Sequence, residues 1–239
     1  MKLVIGNQKT YLNREAALDF IEQTKDVDCS RAIVCPSDIY LDMYLDKSKY
    51  VVGAQNVSCK GNGASTGEIS AEQLNSLGVS YCIVAHSERR SDQHETSDLF
   101  CLKINNLLEY NITPIFCVGE NLEQKEQGLS KDVVGKQVLE VFDNLNPEIM
   151  EKIIIAYEPI WSIGTGKIPT NEDIEDVTNY IKDLIQDKFG RRVAVLYGGS
   201  VNMKNVDTLN MIDVVDGYLI GGASTKPEEF KYIMSKCEL

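Results

Sequence analysis

The sequence alternates eight short, continuously apolar segments with longer segments in which apolar residues recur at helical spacing. Strands that are apolar at every position are typical of a parallel sheet covered on both faces. The segments predicted as strands are Leu3–Gly6, Ala32–Cys35, Val51–Gln55, Tyr81–Ala85, Pro114–Cys117, Ile153–Tyr157, Val193–Tyr197 and Gly217–Ile220. A predicted helix lies after each strand, so the pattern indicates eight consecutive β-α units.

The helical segments carry start signals and one apolar face each. Ser70, three residues before Gln73, forms a capping-box pattern, and Thr170 with Asp173 forms an acidic variant of it. Pro227 fits the first turn of the last helix. The residues predicted to share a helix face are Ala17 with Phe20, Ile21 and Thr24; Leu99 with Leu102, Lys103 and Asn106, and Ile104, Leu107 and Leu108 beside them; and Ile174 with Val177, Ile181, Leu184 and Ile185.

Eight β-α units in 239 residues correspond to the size of a (β/α)8 barrel with eight parallel strands. The alternative is a doubly wound open sheet, whose dinucleotide-binding form carries G-x-G-x-x-G in the first β-α turn. That turn contains Gly6 followed by Asn7, Gln8 and Lys9, which does not match. We therefore predict a barrel, and because no linker or change of composition interrupts the pattern, we predict a single domain over residues 1–239.

Charge and composition exclude several kinds of partner. The 24 Lys+Arg and 36 Asp+Glu residues give a net charge of −12, whereas nucleic-acid binding calls for clustered basic residues. No apolar run approaches the ~20 residues that span a bilayer, and the first residues lack a secretory signal pattern. Seven scattered cysteines and two histidines argue against a zinc site. We predict reduced thiols, a cytoplasmic location, and no nucleic-acid or membrane partner.

Polar residues follow several of the predicted strands at their carboxyl ends, where the β-α loops of such folds converge on the active site. They are Asn7 and Lys9 after the first strand, His86 after the fourth, Glu158 after the sixth, Ser200 after the seventh, and Gly221 with Gly222 after the eighth. Each alone has a structural explanation, such as a turn residue or a corner histidine. Together they put a base, an imidazole and a cation on one rim, which indicates an enzyme.

Two glycine-rich turns indicate what this enzyme binds. The last two strands end in Gly198-Gly199-Ser200 and in Gly221-Gly222-Ala223-Ser224. Turns of this kind at helix starts expose backbone N–H groups that hold phosphate, and barrels commonly place a phosphate site after strands seven and eight. The pattern therefore predicts a compact phosphate ester as the substrate.

A third glycine-containing segment lies between Pro159 and Pro169. It resembles a nucleotide-binding P-loop only superficially, because Trp161 stands where the first glycine belongs and Ile168 where a serine or threonine belongs. A mobile lid bounded by the two prolines is the better interpretation.

The motifs around these residues resemble the triosephosphate isomerase family over essentially the whole chain. The matching pieces, in order, are GNQK (6–9), AQN (54–56), TGEIS (66–70), AHSERR (85–90), CVGE (117–120), AYEPIWSIGTGK (156–167), YGGSV (197–201) and GGAS (221–224). This resemblance implies a barrel enzyme of glycolysis and gluconeogenesis that interconverts dihydroxyacetone phosphate and glyceraldehyde 3-phosphate through an enediolate. It also implies that neither a metal nor an organic cofactor is needed.

The resemblance assigns a role to each candidate residue. Glu158 is similar to the base that moves a proton between adjacent carbons, and His86 to the electrophile that polarises the carbonyl. Asn7 and Lys9 are similar to catalytic and substrate-binding groups near the carbonyl oxygen. The residues that resemble the phosphate-binding set are Gly164, Ser200, Gly221 and Gly222.

The sequence departs from the family pattern at four positions, of which Gln8 and Thr10 bear none of this chemistry and Ser162 is a small change. Gln8 stands where the family usually has Trp, Thr10 where Met is common and Ser162 where Ala is usual, while Pro169 is unexpected near the end of the lid. No candidate catalytic group is missing.

The loop Ser58–Gly67 resembles the family's interface loop, whose tip reaches into a neighbouring subunit, and therefore implies a homodimer. Its Asn62-Gly63 pair is also an ordinary turn signal. Two other classes remain open: a different phosphate-binding barrel enzyme, such as a phosphosugar isomerase, and a non-catalytic binder of phosphate ligands. The first needs a different base arrangement, and the complete set of Asn7, Lys9, His86 and Glu158 argues against the second.

Overall fold

The computed structural model describes residues 2–27, 32–163 and 167–237. Within these ranges, eight parallel strands pair in chain order and close into a barrel through β1 and β8. The strands are β1 (Leu3–Asn7), β2 (Ala32–Cys35), β3 (Val51–Ala54), β4 (Tyr81–Val84), β5 (Thr113–Val118), β6 (Ile154–Tyr157), β7 (Ala194–Tyr197) and β8 (Gly217–Ile220). The predicted (β/α)8 barrel is confirmed, and the strand bounds match the prediction to within one residue.

Helices surround the barrel, and several begin where the sequence predicts. Ser70 accepts the Gln73 N–H while the Gln73 side chain accepts the Ser70 N–H, and Thr170 accepts the Asp173 N–H. The helices are α1 (Arg14–Thr24), α2 (Leu41–Lys47), α3 (Ala71–Leu77), α4 (Ser87–Ser91), α5 (Ser97–Glu109), α6 (Leu122–Glu126), α7 (Ser130–Phe142), α8 (Asn171–Phe189), α9 (Val206–Leu209) and α10 (Pro227–Cys237). Short 3-10 turns span Asp38–Tyr40, Pro147–Lys152, Ile160–Ser162 and Gly222–Thr225.

The predicted face of α5 is wrong in part. Leu102 is half exposed, and the buried face is formed by Phe100, Ile104 and Leu107 together with Lys103. The Lys103 side chain is buried because its Nζ atom contacts a carboxylate and an amide oxygen, at 2.6 and 2.7 Å. The predicted faces of α1 and α8 are confirmed, except that Leu184 is only partly buried.

The strands are apolar throughout because two separate cores use their opposite faces. Alternate strand residues fill the barrel interior, and the others pack against the helices in a larger outer core. The interior consists of Ile5, Ile33, Cys35, Ile83, Ile115, Cys117, Ala156, Leu196 and Leu219. These nine residues fill the barrel with side chains, so the rim at the carboxyl ends has a packed floor beneath it.

The cysteines of the described ranges are free thiols, as predicted. Cys35 and Cys117 lie in the barrel interior and Cys82 lies in the outer core. Burial raises the pKa of each of these three thiols, so they are neutral at physiological pH. None of the described helices combines the length and the hydropathy of a membrane span.

Candidate active site

A cavity of about 600 Å³ lies at the carboxyl ends of the strands. The structure brings together there the sequence-predicted site residues that it describes, namely Asn7, Lys9, His86, Glu158, Ser200, Gly221 and Gly222. Gly164 lies outside the described residues. The rim identified from the sequence is thus one continuous surface, although its members come from five different strands.

Glu158 directly follows β6, and the end of that strand is tightly enclosed. Its N–H donates to the Val118 carbonyl at 2.7 Å, and a side chain at Gly119 would collide with the Glu158 carbonyl, 1.7 Å from the Cβ position. A side chain at Gly198 would meet the Glu158 Cγ atom at 2.8 Å. These contacts fix the start of the Glu158 side chain, which is 3 % exposed.

The Glu158 carboxylate has a partner at each oxygen. Oε1 lies 3.1 Å from His86 Nε2, and Oε2 accepts the Ser87 N–H at 3.3 Å. Burial raises the pKa of the Glu158 carboxyl, but His86, the Ser87 N–H and the Lys9 charge outweigh burial and hold this pKa below its usual value. The carboxylate is therefore ionised at neutral pH, as a base must be.

His86 lies at the start of α4, and its two ring nitrogens have different roles. Nδ1 accepts the Glu88 N–H at 3.3 Å, while Nε2 faces Glu158. An Nδ1 atom that accepts a hydrogen bond carries no proton, so in the neutral ring the proton is on Nε2. Burial lowers the pKa of His86, but the neighbouring Glu158 carboxylate outweighs burial and raises this pKa.

Lys9 brings a cation to the rim. Its backbone has φ of +49°, in the left-handed region, and is held by hydrogen bonds from its N–H to Asn7 Oδ1 and from Gln55 Nε2 to its carbonyl. The ammonium lies 2.6 Å from Glu88 Oε1. Two hydrogen bonds thus hold an unfavourable backbone conformation and keep Lys9 over the cavity.

The two glycine-rich turns differ in the space around them. A Cβ at Gly199 would lie 2.1 Å from Tyr197 Oη, so that turn is closely packed. By contrast, a Cβ at Gly222 meets nothing within 4 Å, and at Gly221 the nearest atom is Lys9 Cε at 3.8 Å. The second turn is open towards the cavity, beside the stem of Lys9.

Ser200 forms a link to the segment that follows Glu158. Its hydroxyl donates to the Ser162 carbonyl at 2.6 Å, and its own carbonyl accepts from Asn205 Nδ2 at 2.8 Å. Ser162 ends the 3-10 turn that precedes the central part of the predicted lid. Ser200 therefore connects the phosphate-binding candidates with the start of the lid.

Sequence reasoning assigned no role to Glu120, which lies beyond the end of β5 and is fully buried. Its Oε1 atom accepts from Tyr157 Oη at 3.1 Å and from Trp161 Nε1 at 2.9 Å, and its carbonyl accepts the Ile160 N–H at 3.0 Å. The bonds from Trp161 and Ile160 thus attach the start of the predicted lid to the barrel, and the bond from Tyr157 on β6 holds the Glu120 carboxylate in place. The signal was present, because Glu120 also follows a strand at the catalytic end.

The side chains that line the cavity are suited to acid–base chemistry. A closed (β/α)8 barrel that holds an ionised carboxylate, an imidazole and an ammonium in one cavity defines an acid–base enzyme of the barrel class. Glycines open towards that cavity are suited to bind a phosphate group. Among the described residues, no group of three or more His, Cys, Asp or Glu side chains is arranged to hold a metal ion.

Comparison with known proteins gives a consistent result. The family model for triosephosphate isomerase matches residues 2–237. The chain is 38 % identical over 243 residues to the triosephosphate isomerase of Alkaliphilus oremlandii, covering 98 % of both chains. It is 40 % identical over 242 residues to that of Carboxydothermus hydrogenoformans, covering 97 % of this chain and 96 % of the relative.

These matches span the whole barrel, and therefore the chain belongs to the triosephosphate isomerase family. It is an intramolecular oxidoreductase that interconverts dihydroxyacetone phosphate and glyceraldehyde 3-phosphate, a reaction of glycolysis.

Proposed function

We propose that this isomerisation takes place in the rim cavity, with Glu158 as the base and His86 as the electrophile. The observation that carries the proposal is the contact between the Glu158 carboxylate and His86 Nε2, at 3.1 Å. The two groups face each other from different strands, so a substrate that enters between them meets a proton acceptor on one side and a proton donor on the other.

The proton transfer begins at the carbon next to the substrate carbonyl. Glu158 takes a proton from this carbon, the C–H electrons form a carbon–carbon double bond, and the carbonyl electron pair moves to oxygen to give an enediolate. Return of the proton to the neighbouring carbon, with the matching proton shift between the two oxygens, converts ketose into aldose. One carboxylate can serve both halves because the two carbons are adjacent in the substrate.

Donors near the substrate oxygen stabilise the negative charge that develops there. We assign this role to His86 Nε2, the Lys9 ammonium and the Asn7 side chain. Substrate entry separates His86 from Glu158, which removes the main cause of the raised His86 pKa. Burial and the Glu88 N–H then favour the neutral imidazole, which donates from Nε2.

The phosphate group of the substrate is held, in our proposal, by the open turn at Gly221 and Gly222 together with Ser200. Gly164 lies outside the described residues, and its part in phosphate binding is an expectation from the family resemblance alone. The support for Gly221 and Gly222 is that both line the cavity with free space at their Cα atoms. Lys9 lies beside this turn, so its cation faces an anionic substrate even though the chain has a net charge of −12.

We expect the purified chain to convert dihydroxyacetone phosphate into glyceraldehyde 3-phosphate in a coupled assay that contains a metal chelator. We also expect inorganic phosphate to inhibit competitively, because it occupies the same turn. Phosphate binding without turnover would indicate a non-catalytic binder instead. Turnover of a different phosphosugar, with none of the triose phosphate, would indicate another barrel isomerase.

We further propose that the chain forms a homodimer through the loop Ser58–Gly67 and acts in the cytoplasm. The Ser58 N–H donates to the Ile69 carbonyl at 2.8 Å and so closes the base of this loop, whereas Thr66 and most of the tip are exposed. A loop that is fixed at its base and exposed at its tip is suited to insert into a neighbouring subunit.

Light scattering is expected to give about twice the 26.7 kDa chain mass, and Thr66→Arg is expected to shift it to the mass of one chain. Lys136→Glu, on the exposed surface of α7, is the matched control and should remain dimeric. A fully active wild-type monomer would contradict the proposal.

A further inference from the structure

Gln8 lies between two candidate catalytic residues of the rim, Asn7 and Lys9, yet its side chain is directed away from the chemistry. It is 1 % exposed and does not line the cavity. A primary amide is costly to bury unless both its oxygen and its nitrogen have hydrogen-bond partners. The partners of Gln8 therefore indicate what the residue does.

The Gln8 amide bridges two elements that are distant in sequence. Its Oε1 atom accepts from the hydroxyl of Tyr44, on α2, at 2.7 Å, and its Nε2 atom donates to the Ser224 carbonyl at 3.2 Å. The Ser224 carbonyl can only accept, so the amide must present its nitrogen there and its oxygen to Tyr44. Because Tyr44 is itself fully buried, both ends of the bridge are shielded from water.

Ser224 belongs to the open glycine turn. Its N–H and its hydroxyl both donate to the Gly221 carbonyl, at 2.8 and 2.7 Å. The Gln8 amide thus holds the Ser224 carbonyl, and Ser224 in turn holds Gly221. Behind the turn, a Cβ at Gly6 would lie 2.9 Å from Ser224 Cβ, so β1 packs directly against it.

We propose that Gln8, supported by Tyr44, is a positioning residue for phosphate binding: it fixes the turn that carries Gly221 and Gly222 relative to Lys9. This inference rests on the proposed phosphate site. It gives Gln8 a function in the reaction although the residue touches no substrate atom. Since Gln8 and Lys9 are adjacent, one short segment holds both the cation and the turn beside it.

The test replaces Gln8 by Leu, which keeps a similar size and removes both hydrogen bonds. KM for glyceraldehyde 3-phosphate and the inhibition constant of inorganic phosphate are expected to rise together by roughly three- to tenfold, the equivalent of a lost net hydrogen bond. The turnover number should change by less than about twofold, because Glu158 and His86 keep their contacts. Tyr44→Phe, which leaves the Ser224 bond intact, should move both constants in the same direction by less.

Tyr218→Phe is the matched control. Tyr218 is another fully buried tyrosine, and its hydroxyl donates to Asn210 Oδ1 at 2.8 Å, away from the glycine turn. This variant should lower the unfolding temperature and leave both constants unchanged. An equal rise of the phosphate inhibition constant in Tyr218→Phe would overturn the inference, and so would a Gln8→Leu protein that loses stability but keeps both constants within twofold.

A failure of the proposed phosphate site can be distinguished from a failure of the role proposed for Gln8. Gly222→Asp places a negative charge in the open turn, so it should abolish phosphate inhibition if the proposed phosphate site is correct. If it has no effect, the phosphate site itself is wrong, and the role of Gln8 is overturned with it. If Gln8→Leu does not fold, Tyr44→Phe decides alone, and unchanged constants in that variant would overturn the inference.

Discussion

Replacing Glu158 by Gln is expected to lower the turnover number by about 10²- to 10⁴-fold, the usual contribution of a general base. The amide has the size of the carboxylate and can still accept the Ser87 N–H at its oxygen, so the packing should persist, although its NH2 group cannot accept from His86 Nε2. What is lost is the ability to accept a proton at neutral pH. The coupled isomerase assay measures this loss, and the inhibition constant of inorganic phosphate shows whether the substrate site is intact.

Glu229→Gln provides the comparison for this result. Glu229 also lines the cavity, but its carboxylate is paired with Lys226 at 3.1 Å, whereas the Glu158 carboxylate contacts His86. Its turnover number should stay within a few-fold of the wild-type value. If Glu158→Gln retained activity within about tenfold, or if both variants lost activity equally, Glu158 would not be the base.

Lys9→Met is expected to lower the turnover number by roughly 10²- to 10³-fold, the range found when one donor to a developing oxyanion is removed. Methionine keeps an unbranched side chain that is one atom shorter, and removes the ammonium group with its charge and its hydrogen-bond donors. The unfolding temperature should change little, because Glu88, which loses its partner, is half exposed and remains hydrated. Initial rates at saturating dihydroxyacetone phosphate measure the effect.

Lys204→Met separates a local from a general electrostatic effect. Lys204 lines the same cavity but lies in the loop after β7. Its removal lowers the net positive charge of the cavity by the same amount and should leave turnover within a few-fold. Equal losses in the two variants would mean that Lys9 acts through the overall field of the cavity and has no specific contact with the substrate oxygen.

The barrel could be predicted because a single physical rule generates it. Strands such as Ile154–Tyr157 are buried on both faces and are therefore apolar at each position, which distinguishes them from half-exposed strands. The same regularity predicts from the sequence that His86 and Glu158 lie on one rim. The expected single domain over residues 1–239 and the roles of the site residues stay predictions.

Contacts between distant segments could not be predicted. Lys103 joins the buried face of α5 because Glu95 and Asn56 surround its ammonium, and hydrophobic periodicity contains no information about these partners. Likewise, the sequence shows Gln8 only as a departure from a family pattern. Its hydrogen bonds to Tyr44 and Ser224 span 36 and 216 positions along the chain.

The thiols in the barrel wall have a consequence for oxidative damage. The thiolate is the form that reacts with oxidants, and Cys117 is held neutral because it is buried and close to the Glu158 carboxylate. Among the cysteines of the described ranges, Cys59 and Cys101 are the ones with partial access to solvent. Oxidants should therefore modify Cys101 before the buried sulfurs, since the proposed dimer covers the loop that carries Cys59, and the sulfur beside the proposed base stays unreactive for as long as the barrel remains closed.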